Sequence, residues 1–339
     1  MFKNVLGKDD ECVLVIGADI GGTKCAVNLG EISKKSATVI HKCKVRKTAQ
    51  YQPYEMLDAL CEDMRDCMAH SGSRKIRGIG ISCGGPLDES RGIILSPPNL
   101  PGWDNIAITD YFQEKIGIPA WLCNDANACA LAEWKLGAGK ECSHMVFLTF
   151  GTGLGAGIIV NGRLYTGACG MAGEIGHIRL SDYGPSGYGK MGSFEGFCSG
   201  SGIAQLAKTM VTEKLQQGEE SYLCKNGADL PLLTAESVGA AAKKGDSLSL
   251  DILRQVGIQL GKGLSILIDF LNPERIVIGS IFVRNYDEIW PYAKQVIEKE
   301  TLPAARNACQ ILPSQLSESV GDIAGLVVAG YHLEMEDTK

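Results

Sequence analysis

The segment DIGGTK, residues 19–24, combines a carboxylate with a glycine-rich turn. We expect Asp19 to end a strand, where its carboxylate can hold Mg²⁺ through water, because Mg²⁺ dehydrates reluctantly. Gly21, Gly22 and Thr23 would offer backbone N–H groups and a hydroxyl to phosphate oxygens, and Lys24 closes the same candidate phosphate site. Taken alone, the segment is equally compatible with a plain hairpin turn that binds nothing.

A second glycine-rich turn, GTGLGAG, occupies residues 151–157. Gly151, Thr152 and Gly153 follow a predicted buried strand and are candidates for phosphate contacts. A dinucleotide fingerprint would need a helix directly after the glycines. Here Ile-Ile-Val and the hairpin signal Asn161-Gly162 follow instead, which favours a strand-turn-strand unit that presents backbone donors. The chain has no GxxxxGK[ST] motif.

Asp125 lies in LCNDAN, between a predicted strand and a predicted helix. Asp is favoured at helix N-caps, so a purely structural role stays open. The functional alternative is a general base that accepts the proton of an attacking hydroxyl. Asn124 would then hydrogen-bond a neighbouring hydroxyl.

Further polar residues suit a sugar, which needs several fixed hydrogen bonds. Asn99 lies in the proline-rich loop SPPNLPGW, Glu174 and His177 in GEIGH, and Glu195 in GSFEGF. Each alone is an ordinary loop residue. Together they predict a polar substrate beside the phosphates.

Composition narrows the class of protein. A chain of 339 residues favours two domains, and the net charge of −6 gives no basic footprint for nucleic acid. The first residues lack the apolar core of a signal peptide, and we find no apolar run that could span a bilayer. The 13 cysteines are scattered without a CxxC pair, which predicts reduced thiols in the cytoplasm.

Hydrophobic patterns predict strands alternating with helices, and therefore an α/β fold. Strands are expected at 13–18, 24–29, 76–82, 120–123, 276–278 and 308–312. Helices are expected at 54–70, 111–116, 126–136, 203–217, 235–244, 247–271, 286–300 and 323–333. Residues 145–177 are predicted to form an inserted β-meander and residues 179–202 a long loop. The two strand-turn-strand units, one in each half, suggest two related lobes.

Seven ordered motifs resemble those of the ROK sugar kinases over nearly the whole chain. They are DIGGTK, the Gly84-Gly85 loop, NLPGW, NDAN, FGTGLGAG, GEIGH and VIGS. The resemblance implies an actin-like, ribonuclease H-like two-domain fold with an interdomain cleft. We expect a small lobe from residues 1–122 plus a C-terminal helix at about 318–339, and a larger lobe from residues 123–317.

The resemblance also implies a reaction, in which ATP with Mg²⁺ phosphorylates a hexose, as in a glucokinase, usually at O6. It makes Asp125 the base and gives Asp19 to the metal and phosphates. It implies that the sugar is bound by Gly85, Asn99, Asn124, Glu174, His177 and Glu195. It also implies that Gly279 lies beside the adenosine.

One departure concerns a structural zinc. Many family members carry CxCGxxGCxE after the GH, and its three cysteines bind zinc with the histidine. Here Ser186, Tyr188 and Ser193 stand at the cysteine positions, and hydroxyls replace thiolates poorly. We therefore expect no zinc, and His177 serving the sugar alone. In a smaller departure, Ser280 stands where a second glycine is common.

Alternatives remain within and beyond the family. The enzyme could act on an N-acetylhexosamine, fructose or a β-glucoside. A sugar-sensing repressor is disfavoured, because the first strand is expected near Val13 and the charge is negative. A binding module without activity is disfavoured because Asp125 is present. The family resemblance suggests a homodimer, and we expect no nucleic-acid or membrane partner.

Overall fold

The computed structural model describes residues 12–224, 226–316 and 320–337, which divide into two compact units. One unit holds the described residues among 1–141, 164–172 and 318–339, and the other those among 142–163 and 173–317. The division after residue 141 differs from the predicted boundary after residue 122. The reason is strand pairing, since Leu122, Cys123 and Asn124 pair with one central strand of the first unit, at Ile81–Cys83, and lead into a helix of that unit.

The first unit is built on a six-stranded sheet. Its elements are β1 (Val13–Ile20), β2 (Lys24–Ile32), β3 (Ala37–Lys42), β4 (Arg46–Lys47), α1 (Pro53–Ala69), β5 (Ile76–Cys83), β6 (Leu87–Asp88), β7 (Ile93–Ile94), β8 (Ile106–Ala107), α2 (Ile108–Ile116), β9 (Ala120–Asn124) and α3 (Asp125–Leu136). The strand order is β3-β2-β1-β5-β9, with β4 paired to β2, and β6, β7 and β8 form a separate small sheet.

Parallel pairing brings three strand ends of this sheet together. Ile20 of β1 lies opposite Cys83 of β5, and Cys83 lies opposite Asn124 of β9. The segments that follow these strands therefore leave from one edge of the sheet. Such carboxyl edges are where open α/β sheets bind ligands.

The second unit contains a five-stranded sheet and most of the remaining helices. Its elements are β10 (Met145–Phe150), β11 (Leu154–Val160), β12 (Arg163–Leu164), β13 (Ser186–Gly187), β14 (Lys190–Met191), α4 (Phe194–Phe197), α5 (Gly200–Gln216), α6 (Ala235–Ala242), α7 (Ser247–Leu271), β15 (Arg275–Ile278), α8 (Ile281–Arg284), α9 (Tyr286–Glu300), α10 (Pro303–Ala308) and β16 (Gln310–Pro313). The order β12-β11-β10-β15-β16 has β10 antiparallel to β11 and parallel to β15.

The last helix, α11 (Val320–Asp337), belongs to the first unit. It packs on β1 and β5 through glycines, because a methyl group at Gly80 would lie 2.0 Å from the carbonyl oxygen of Gly325. Side chains at these positions would force the helix off the sheet. Among the described residues, none of the helices combines the length and apolar character needed to cross a bilayer.

Most predicted elements are confirmed, including α7 and α9 at their predicted bounds. Each unit also holds a hairpin that leads into two parallel strands, which explains the repeated strand-turn-strand pattern. Two predictions need correction. The expected loop at 179–202 contains β13, β14, α4 and the first turn of α5, and the expected strand at 308–312 begins only at Gln310, after α10. Edge strand β3 contains no fully buried residue, so no buried apolar run marks it in the sequence.

Candidate active site

Asp19 and the first glycine-rich turn lie at the carboxyl edge of the first unit's sheet. The turn is closed by a hydrogen bond from Gly21 N to the carbonyl of Lys24, and the Thr48 hydroxyl donates to the carbonyl of Gly21. Gly22 is required for close approach, because a methyl group there would lie 2.4 Å from the carbonyl oxygen of Asn99. The predicted phosphate turn and the predicted sugar residue Asn99 are therefore neighbours.

The Gly84-Gly85 loop brings Asn99 and Asp125 to the same place. A methyl group at Gly84 would lie 3.3 Å from Asn99 Nδ2 and 3.8 Å from Asp125 Oδ2, and one at Gly85 would lie 3.3 Å from Asn124 Nδ2. The absence of side chains leaves room for a ligand between these polar groups. This edge of the first unit's sheet therefore carries two carboxylates, two amides and the turn at residues 21–23.

Helix α3 starts at Asp125, and Asn124 is its N-cap. Asn124 Oδ1 accepts a hydrogen bond from Ala126 N at 3.0 Å, and Asp125 Oδ1 accepts one from the same N–H at 2.8 Å. The cap function that the sequence left open for Asp125 is thus performed by Asn124. The side chain of Asp125 is exposed, as a general base must be to reach a substrate.

Glu89 positions this segment, although no motif in the sequence points to it. Its Oε1 accepts hydrogen bonds from Asn124 N at 2.6 Å and from Asn127 Nδ2 at 3.2 Å. Burial raises the pKa of Glu89, and these two hydrogen bonds oppose that rise. The only sequence signal was an acidic residue in the loop after Gly84-Gly85, 35 positions before Asn124.

The surroundings of Asp19 raise the pKa of its carboxyl group. Burial, followed by the negative charge of Asp125, raises its pKa to about 6; Lys24 lowers it and Asp322 raises it further. A carboxylate that is partly desolvated beside other carboxylates is a favourable neighbour for a cation.

In the second unit, the turn at 151–153 lies against the start of α5. Gly200 N, the first helical residue, donates to the carbonyl of Gly151 at 2.8 Å, and Ser201 Oγ donates to the carbonyl of Thr152 at 3.3 Å. The N-terminus of a 17-residue helix adds a partial positive charge close to this turn, which favours phosphate. The sequence pattern predicts this helix only from residue 203, so this contact is not evident from the sequence.

Gly279 and Ser280 follow β15 next to the same turn. Gly279 N donates to the carbonyl of Leu148, and a methyl group at Gly151 would lie 3.9 Å from Ser280 Oγ. Ser280 has φ +53°, a backbone region that favours glycine.

The residues predicted to bind the sugar from this unit are also close to one another. Glu195 Oε2 accepts a hydrogen bond from Leu154 N at 3.0 Å, so this carboxylate joins the glycine-rich turn to α4. Burial and the neighbouring charge of Glu195 raise the pKa of Glu174, whereas His177 lowers it. Glu174 and His177 are exposed.

Hydrogen bonds organise residues 186–195, where the family resemblance would place zinc-binding cysteines. The buried Ser193 hydroxyl accepts from Gly187 N at 3.2 Å and from Gly196 N at 3.0 Å. The side-chain amide of Gln205 binds the backbone of Ser186. Its Oε1 accepts a hydrogen bond from Ser186 N at 3.1 Å, and its Nε2 donates one to the carbonyl of Ser186 at 2.9 Å. Tyr188 is 76% exposed, with its ring centroid 6.3 Å from that of His177. The positions of the missing thiolates therefore carry other contacts, and the absence of zinc there stays a prediction.

Comparisons with known proteins decide the family. The model of the ROK family matches residues 15–329. The chain belongs to the ROK family. It is 33% identical to a glucokinase of Halalkalibacterium halodurans over 91% of this chain and 93% of that protein. It is also 28% identical to the DNA-binding transcriptional dual regulator NagC of Escherichia coli K12, over 89% of this chain and 71% of that protein.

A solved structure confirms the predicted fold of the ROK sugar kinases. The ROK family glucokinase of Streptomyces griseus, in complex with glucose and AMPPNP, superposes with a TM-score of 0.73 at 27% identity. The match covers 94% of this chain and 99% of that one. The similarity includes both kinases and a regulator, so the ROK fold alone does not fix the activity.

Proposed function

We propose that this protein is an ATP-dependent hexose kinase that transfers the γ-phosphoryl group to a sugar hydroxyl, O6 in the leading case. One observation carries the proposal. Asn99 lies against both the Gly22 turn and the Gly84 loop, and Asp125 Oδ2 lies at the same loop. A candidate phosphate turn, a hydroxyl-binding amide and a candidate base thus share one edge of the sheet.

In the proposed reaction, Asp125 accepts the proton of the attacking hydroxyl as the new O–P bond forms and the bond to ADP breaks. Phosphoryl transfer depends mainly on positioning and charge stabilisation, and the protein supplies little covalent chemistry. The amides of Asn99 and Asn124 would orient the sugar, while Glu174, His177 and Glu195 would bind its other hydroxyls. The turn at Gly21–Thr23 and the one at Gly151–Gly153, together with Lys24 and Gly279, are assigned to ATP.

The residues present fit Mg²⁺. Asp19 is half-buried, and burial together with the nearby charge of Asp125 raises its pKa to about 6, so a cation beside it would favour the charged carboxylate. When bound there through water, Mg²⁺ would neutralise charge on the transferring phosphates. Glucokinases among the relatives, one of them solved with AMPPNP, support the use of ATP.

The test is an ADP-release screen with glucose, mannose, fructose and their N-acetylamino relatives. Asp125→Asn should lower kcat by at least about 10²-fold, because general-base catalysis contributes 10²–10⁴-fold, and it should leave sugar affinity nearly unchanged. Asp110→Asn, an exposed carboxylate in the first turn of α2, serves as the control. Sugar-independent ADP release, or an Asp125→Asn variant with unchanged kcat, would refute the proposal. Sugar-dependent DNA binding without ADP release would instead identify a regulator.

A second substrate class is favoured by one observation. Tyr183 and Tyr188 are 80% and 76% exposed, and Tyr188 lies edge-on to His177. Exposed aromatic rings beside a sugar site can pack against a further ring of a longer substrate. β-Glucosides therefore belong in the same screen.

A further inference from the structure

Three metal-binding side chains converge on the first unit, outside the residues assigned to sugar and ATP. His41 lies at the end of edge strand β3, Cys43 follows the strand directly, and Asp66 lies in the last turn of α1. One ligand atom from each lies within 4.8 Å of the other two, the one such group of His, Cys, Asp or Glu among the residues that the structure describes.

The distances suit a tetrahedral ion. An ion with bonds of about 2.0–2.3 Å holds its ligand atoms roughly 3.3–3.8 Å apart. Cys43 Sγ lies 3.8 Å from Asp66 Oδ2, and His41 Nε2 lies 2.7 Å from the same oxygen, where the two now share a hydrogen bond. Opening that contact by roughly half an ångström, with a ring nitrogen of His41 within 4.8 Å of Cys43 Sγ, would bring the three atoms close to tetrahedral spacing. The side chains of His41 and Asp66 are 26% and 49% exposed, so the surrounding core does not enclose them completely.

The donor types select the ion. Imidazole nitrogen and thiolate sulfur favour Zn²⁺ and similar transition metals, whereas Mg²⁺ prefers oxygen ligands and keeps its waters. We propose that His41, Cys43 and Asp66 bind a divalent transition-metal ion of the zinc class. This site is separate from residues 186–195, where the resemblance places the zinc cysteines of many family members.

The surroundings supply further donors and little repulsion. Cys67 Sγ lies 3.4 Å from Cys43 Sγ and is a candidate for a fourth ligand. The His70 ring stacks on that of His41 with centroids 3.8 Å apart. The guanidinium of Arg46, three positions after Cys43, is paired with both carboxylate oxygens of Asp63 at 2.7 Å, so its positive charge is largely compensated.

A bound ion would fasten the end of β3 to α1. The chain continues from Cys43 into β4, whose Lys47 and Arg46 pair with Lys24 and Cys25 beside the candidate phosphate turn. The ion is therefore expected to raise the melting temperature of the whole protein and to act through structure.

The experiment uses the full chain, freed of metal with a chelator and kept reduced, and titrates it with Zn²⁺ alone. We expect one zinc per chain. Cys43→Ser and Asp66→Asn should each weaken binding at least about 100-fold, the upper end of the loss from altering outer-shell partners. Cys169→Ser, an exposed cysteine outside the cluster, should bind like the wild type, and so should His177→Ala.

A second measurement uses only the wild-type protein, so it tests the proposal even if the variants misfold. The wild-type protein loaded with Co²⁺ should show a thiolate-to-cobalt charge-transfer absorption, which requires a cysteine ligand. The proposal is overturned by a wild-type chain that takes up no zinc, by unchanged affinity in folded Cys43→Ser, or by a Co²⁺ complex without the thiolate absorption. Loss of zinc in His177→Ala alone would place the metal in the 186–195 segment and refute this site.

Discussion

Replacing Asp19 with Asn is expected to stabilise the protein while it inactivates the candidate site. Burial and Asp125 raise the pKa of Asp19 from 3.8 to about 6, so the folded state binds this proton more tightly than the unfolded chain. The associated stability is fully present below pH 3.8 and is lost as the pH rises through about 6. Asn carries no charge, so the variant does not lose this stability as the pH rises.

The size of the effect follows from the shift. A difference of about 2.2 pKa units corresponds to at most about 3 kcal/mol of unfolding free energy at pH 7.5, and to about 0.6 kcal/mol at pH 4. The stabilisation of Asp19→Asn relative to the wild type should therefore shrink steadily as the pH falls. Activity should drop on the order of 10²-fold, because a charge-stabilising group near the phosphates is lost.

The change in stability is measured by urea unfolding of the wild type and Asp19→Asn. The measurements are made without nucleotide at several pH values between 4 and 7.5. The loss of activity is measured on the same preparations with the ADP-release assay. Asp110→Asn again controls for removing one negative charge, since it lies exposed on α2. A variant that is less stable than wild type at pH 7.5, or whose gain does not depend on pH, would show that Asp19 is not electrostatically strained.

Two further variants test how the candidate site is supported. Glu89→Ala removes the acceptor of Asn124 N and Asn127 Nδ2, so it should cost about 1–3 kcal/mol in urea unfolding and lower kcat, with partial rescue by Glu89→Gln. Equal kcat in both variants and wild type would rule out a positioning role. Ser193→Ala leaves Gly187 N and Gly196 N without their acceptor and should cost about 1–2 kcal/mol and raise the sugar KM. A cost below about 0.5 kcal/mol would contradict the role of this hydroxyl.

The sequence predicted regular elements well where one physical signal dominated. Helix α7 begins after Asp246, whose carboxylate accepts from Ser249 N at 2.8 Å, and ends at Asn272 with φ +45°. An N-cap, a continuous apolar face and a left-handed C-cap are local properties, so local sequence is sufficient for them. The segment at 179–202 was misread because its hairpin and short helix depend on contacts with Gln205 and the buried Ser193 rather than on a repeating pattern.

The division into units was also beyond local sequence. Residues 123–141 look like the start of a new lobe because a strand end and a catalytic-type motif occur together. They belong to the first unit because β9 pairs in parallel with β5, and α3 packs against α11 from the far end of the chain. Parallel pairing always joins distant segments, so its register cannot be read from one of them.

For the site, residue types and spacing are enough to identify the side chains that can do chemistry: the carboxylates Asp19 and Asp125, the amides, and the two glycine-rich turns. What surrounds these side chains depends on the packing of distant segments. That packing placed Asn99 against Gly22, made Asn124 the cap and left Asp125 exposed, gave Glu89 its positioning role, and brought His41 and Cys43 to Asp66. The physical reason is that residue type and spacing fix local backbone and chemical capacity, whereas burial, charge crowding and metal geometry arise only when distant segments pack together.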